Sequence, residues 1–194
     1  LARGLVAKAQ VTLDSALEQA RLAASPPVTA LILANQGAVY LAQDNPTYAL
    51  RLLKEAVALY QAIPSSDPVQ SAYAIGLLGK AHLAAGESER AYRLLTQAIQ
   101  MSQQAGQLAQ ELTWSNALAA ALYQSGALQQ ALKLYERCDE LAAQVPNPAP
   151  EYTRDHLIHR AMIHEQLGQR DLALTYALRA LTEARAAINR TCLL

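Results

Sequence analysis

The segment NQGAVYLAQDNPTYALRLLKEA, residues 35–56, recurs along the chain, and this recurrence restricts the fold more than any other feature. Gly37 is matched by Gly79, Ala119 and Ala161, at steps of 42, 40 and 42 residues. Ala49 recurs as Ala91, Ala131 and Ala173 at the same steps, and Ala56 as Ala98, Cys138 and Ala180. Between these rows Asp44 is followed by Gly86, Gly126 and Gly168. One such row arises by chance in an alanine-rich chain; four in one register do not. A weaker copy leads them, because Ala9, Leu13 and Ala16 precede Ala49, Leu53 and Ala56 by 40 residues. A period of this length marks stacked supersecondary units, each burying its apolar face against its neighbours.

Each unit reads as two helices. The first stops near its glycine, which reaches the left-handed conformation cheaply. Ser25-Pro26, Asn45-Pro46 and Asp67-Pro68 each place a capping side chain before a proline suited to the first helical position. The linkers SPP, IPSSDP and VPNPAP separate units, and QQAGQ at 103–107 reads as a weak break. The expected organisation is a single array. Residues 1–24 form the second helix of a partial unit, and full units follow at 25–66, 67–106, 107–148 and 149–194. The chain starts at Leu1 without an initiator methionine and reads as a piece of a longer protein. Small residues at Gly37, Ala49 and Ala56 let two antiparallel helices approach closely, while Tyr40 and Leu53 fill the space beside them.

Composition agrees with an all-α fold: alanine and leucine dominate, with no Phe and one Trp. A formal net charge of zero supplies no global attraction to nucleic acid or anionic membrane. No apolar run approaches the ~18 residues of a membrane span. Cys138 and Cys192 form no metal or redox motif and fit a reducing, cytoplasmic setting. No nucleophile motif, phosphate loop or paired carboxylates appear, so neither an enzyme nor a cofactor is expected. In DHLIHRAMIH, His156, His159 and His164 have no carboxylate or cysteine to complete a metal site. His82 and His164 share the row of Tyr40 and Leu122 and are expected to be packed and hydrogen-bonded.

The repeated pattern resembles the tetratricopeptide repeat (TPR) family. It is carried by NQGAVYLAQDNPTYALRLLKEA, LLGKAHLAAGESERAYRLLTQA, LAAALYQSGALQQALKLYERC and RAMIHEQLGQRDLALTYALRA. The step of 40 or 42 exceeds the family's usual ~34, as in its long-repeat branch of kinesin light chains, polarity scaffolds and sensor domains of bacterial transcription activators. The resemblance implies a right-handed α-solenoid of about nine helices whose first helices line a concave groove. By register that groove takes in Asn35, Tyr73, Lys80 and Asn116, then Tyr123, Gln124, His159 and Glu165, with Ile158, Met162 and Gln166 beside them. The implied role is non-catalytic recognition of a peptide or folded protein partner. A sensor or regulatory segment of a larger bacterial signalling or transcription-regulating protein is the second reading. Lys80, Asn35 and Asn116 do not reproduce the clamp that holds chaperone carboxylate tails.

One further row matters. Asp14, Lys54, Thr96 and Glu136 are polar and read as the solvent side of the second helices, but the next member is Leu178. With Leu174 and Leu181 it leaves the last helix apolar on more than one side, which predicts a self-association or capping contact there.

Overall fold

The computed structural model describes residues 2–146 and 150–191, with side-chain environments at 8, 10–146 and 155–186. Cys192 and the side chains of Ala9 and Ile188 lie outside the described residues. Among the described residues there are nine helices and no strand. They are α1 (Ala2–Leu22), α2 (Pro26–Ala42), α3 (Pro46–Ala62), α4 (Pro68–Ala84), α5 (Ser88–Gln104), α6 (Leu108–Gln124), α7 (Leu128–Ala142), α8 (Pro150–Gln166) and α9 (Arg170–Thr191). The starts of α2, α4, α6 and α8 follow one another at 42, 40 and 42 residues, the step of the sequence rows. The chain divides into two compact units, Leu1–Gln107 and Leu108–Leu194.

Caps and turns set the element boundaries. Asn45 Oδ1 accepts the Tyr48 N–H at 3.4 Å, and Asp67 Oδ1 accepts the Val69 N–H at 2.8 Å. Ser25 makes no side-chain cap; instead its carbonyl accepts both the N–H and the hydroxyl of Thr29. At the far ends, Gly86, Gly126 and Gly168 take φ of 78°, 80° and 73°. The following N–H groups return to carbonyls five residues back: Glu87 to His82, Ala127 to Leu122 and Gln169 to His164. Asp44 makes the same turn at φ 56° with the strain a side chain brings. Gly106 makes it too, at φ 65°, with Gln107 N–H on the Ser102 carbonyl. The segment read as a weak break is therefore a full helix stop, made by one glycine without a proline.

In the first unit, α2 packs on α3 and α4 on α5, and α4 also rests on α2 and α3. The small-residue rows are the close-contact points. Ala49, Ala56, Ala91 and Ala98 are fully buried. A Cβ built on Gly37 would lie 2.5 Å from Leu53 Cγ, and one on Gly79 would lie 2.8 Å from Leu95 Cγ. In the second unit, α6 packs on α7 and α8 on α9, with α8 also on α6 and α7. There Ala119, Ala131 and Cys138 are fully buried, while Ala173 is half-buried on α9.

Candidate partner-binding surfaces

Polar groups between the helices fall into two kinds. The first kind centres on a buried side chain. Gln36 donates to Asp14 Oδ1 on α1 at 2.7 Å. His82 Nδ1 lies 3.0 Å from Glu87, and His164 Nδ1 lies 2.6 Å from Gln169 Oε1 with its ring stacked on Tyr176. His82 and His164 thus fill their seam row with both packing and a hydrogen bond. Burial lowers the His82 pKa, against the opposing pull of Glu87.

A larger network of this kind occupies the second unit. Arg160 of α8 is buried, and its Nη1 donates to Asp139 Oδ2 of α7 at 2.5 Å. His156 Nε2 lies 3.3 Å from Asp139 Oδ1, and the Arg160 guanidinium stands 4.3 Å from the centroid of the Tyr176 ring. Burial pushes the His156 pKa down to about 4; Arg160 and Arg179 push it the same way and Asp139 opposes. An arginine held against Asp139 fills the place where a metal would need that carboxylate. Among the described residues no group of three or more His, Cys, Asp or Glu is placed to hold a metal ion. Burial raises the Cys138 thiol to about 12, the behaviour of a small packing residue rather than a nucleophile.

The second kind is half-exposed and loosely bonded, and it holds several of the residues expected in the groove. In the first unit, Tyr73 of α4 donates to Asn35 Oδ1 of α2 at 3.5 Å, well beyond the usual 2.5–3.0 Å of an O–H···O bond. Lys80 is exposed two helical turns further along α4. In the second unit, Gln166 donates to the Tyr123 hydroxyl at 3.3 Å, and the Tyr123 ring lies 5.4 Å from that of His159. His159 Nδ1 is tied to the Tyr135 hydroxyl at 2.8 Å, and burial lowers its pKa. Gln124 and Glu165 are exposed at the ends of α6 and α8.

Two expectations need correction. Asn116 does not present its amide as Asn35 does: its Oδ1 is buried with no protein hydrogen-bond partner. The row of Asp14, Lys54, Thr96 and Glu136 is not simply a solvent row either. Asp14 bonds Gln36 on the following first helix, and the Thr96 hydroxyl is buried. At Asp14 the row borders the helix that comes next.

Residues 28–104 match the family model described as Tetratricopeptide repeat. That segment is similar to tetratricopeptide repeats. Solved structures extend the likeness along the length of the chain. A Podosopora anserina putative kinesin light chain with nearly identical TPR-like repeats aligns at TM-score 0.70 and 21% identity, over 97% of this chain and 90% of that one. MamA aligns at TM-score 0.62 and 23% identity over 91% of each chain. Aspartyl phosphate phosphatase F from Bacillus subtilis aligns at TM-score 0.74 and 12% identity, over 90% of this chain but 45% of that protein. At these identities the likeness shows the fold: an all-α, TPR-like solenoid. No curated protein matches the sequence. Among the described residues, no helix is long and apolar enough to cross a membrane.

Proposed function

We propose that this TPR chain is a non-catalytic recognition module that binds a peptide or folded protein partner on its first-helix surfaces. The observation that carries the reading is the pairing of amide and tyrosine side chains at partly exposed positions on neighbouring first helices. The Asn35–Tyr73 and Tyr123–Gln166 pairs bond at 3.5 and 3.3 Å and are half-exposed or exposed. Exchanging a long, solvated hydrogen bond for one to a ligand costs little. Asn35 and Gln166 supply amides matched to a peptide backbone, Tyr73 and Tyr123 supply flat amphipathic rings, and Lys80 adds a positive charge at the first surface.

A random peptide library displayed on phage and selected on the immobilised chain tests this. Selected peptides should bind Tyr73→Ala or Tyr123→Ala at least about tenfold more weakly, which is about 1.4 kcal/mol. They should bind Asn116→Ala like wild type. Equal affinity for all variants would remove the first helices from recognition.

A further inference from the structure

The last helix has two faces of different character. One turns to α8: Ala180 is buried, Ala173 and Tyr176 are half-buried, and Tyr176 takes the His164 ring and the Arg160 guanidinium. The other carries Asp171, Leu174, Leu178, Leu181 and Arg185, spaced 3, 4, 3 and 4 residues apart. This is the spacing of a stripe that meets a partner helix side by side. Leu174, Leu178 and Leu181 are 61%, 55% and 50% exposed. In the row of Leu181 earlier units are covered or bonded, whereas Lys54 and Glu136 in the row of Leu178 are exposed and polar. Val57, in the row of Leu181, is 8% exposed, and Asp139 in that row receives Arg160 of α8. An open cleft of about 690 Å³ lies between α8 and α9 beside the stripe, lined in part by Ile158, Met162 and Leu174.

We propose that α9 pairs antiparallel with α9 of a second copy of this chain, about a twofold axis at Leu178. The charges favour this occupant and this register. Asp171 lies seven residues before Leu178 and Arg185 seven after it, so antiparallel pairing centred there sets each Asp171 opposite the other copy's Arg185. Both side chains are exposed. Parallel pairing would instead oppose like charges at both ends. The same register sets Leu174 against Thr182 and Leu181 against Thr175. Those two hydroxyls already bond within their own helix, Thr175 to the Asp171 carbonyl at 2.8 Å and Thr182 to that of Leu178 at 2.9 Å. Their methyl groups are therefore available to the leucines without leaving a buried hydroxyl unsatisfied. Such a contact is isologous and closes at two copies.

Sedimentation velocity of the 194-residue chain, across a micromolar series at low salt, tests the pairing. Wild type should shift from monomer to dimer, and Leu178→Glu should stay monomeric with unchanged circular dichroism. Asp171→Arg and Arg185→Asp should each weaken the dimer about tenfold, and the double reversal should recover it. Any cost of an arginine in the first turn of α9 persists in the double variant, so recovery reports the pairing. A wild-type chain that stays monomeric throughout overturns the proposal and leaves the stripe to another occupant. A dimer indifferent to Leu178→Glu, or a double variant no better than the singles, overturns it as well.

Discussion

Replacing Gly37 by Ala adds one methyl group where the α2–α3 contact has no room for it. The new Cβ would stand 2.5 Å from Leu53 Cγ, 2.7 Å from Cδ2 and 3.1 Å from Cδ1. Leu53 is fully buried, so its side chain meets packed neighbours whichever way it turns. Overpacking of this kind costs about 1–3 kcal/mol. Against it stands the better helix propensity of Ala, worth about 1 kcal/mol in the interior of a helix. The net expectation is destabilisation by about 1 kcal/mol. The sign is the informative part, because it should reverse once Leu53 is trimmed. Leu53→Ala alone should cost about 2–5 kcal/mol through the cavity it opens. In that background Gly37→Ala meets no clash and begins to refill the hole, so it should stabilise by about 1 kcal/mol. The cycle therefore carries a coupling of about 2 kcal/mol. Urea denaturation of the four proteins, followed by circular dichroism, measures it. If Gly37→Ala stabilises the wild-type chain as much as the Leu53→Ala variant, the close-contact account of the small-residue rows is wrong.

Acid should weaken the second unit from about pH 6.5 downward, starting above the range in which ordinary carboxylates titrate. His156 carries a native pKa of about 4 against about 6.5 unfolded, so between those values only the unfolded chain takes up the proton. Stability should be level above about pH 7 and fall by about 2 kcal/mol on going to pH 4.5, with His82 and His159 shifted in the same direction. A urea midpoint unchanged from pH 7.5 to 4.5, or a His156→Gln variant with the full pH slope, would refute this. Cys138 should resist thiol reagents in a Cys192→Ser background. With the thiol near 12, its reactive fraction at neutral pH is about a thousandfold below that of an unfolded cysteine. Stopped-flow labelling with and without urea reads the ratio, and equal rates would contradict the burial.

The sequence made the spacing of the hairpins readable because close helix contact needs small residues at fixed places, and four rows repeated them. It did not reveal which way each row points. Asp14 looks like a surface residue by type, yet its azimuth turns it toward the next helix, where it meets Gln36. Asn35 and Asn116 look alike by type, but the Asn116 side-chain oxygen is buried without a protein partner while that of Asn35 accepts from Tyr73. The Arg160–Asp139 pair escaped a residue-by-residue reading because arginine and aspartate usually belong to the surface. The rows did hold a signal. Arg160 interrupts Gln36, Leu78 and Leu118, which are all buried, and Asp139 interrupts Val57 and Ile99. Opposite charges breaking two uncharged rows on consecutive helices are mutually explained when they bond. Gly106 was underweighted because the other strong breaks carried prolines, whereas one left-handed residue suffices to end a helix.

The glycine-over-leucine contact bears on how such a chain can be cut and rejoined. Partners across the hairpin change together: Gly37 with Leu53 and Gly79 with Leu95, then Ala119 with Tyr135 and Ala161 with Ala177 in the same register. A graft that exchanges α2 for α6 while keeping α3 would drive an alanine methyl onto Leu53. The transplantable piece is a helix together with its own mate, and crossover points belong in the linkers ahead of Pro68 or Pro150, not at the turn within a pair.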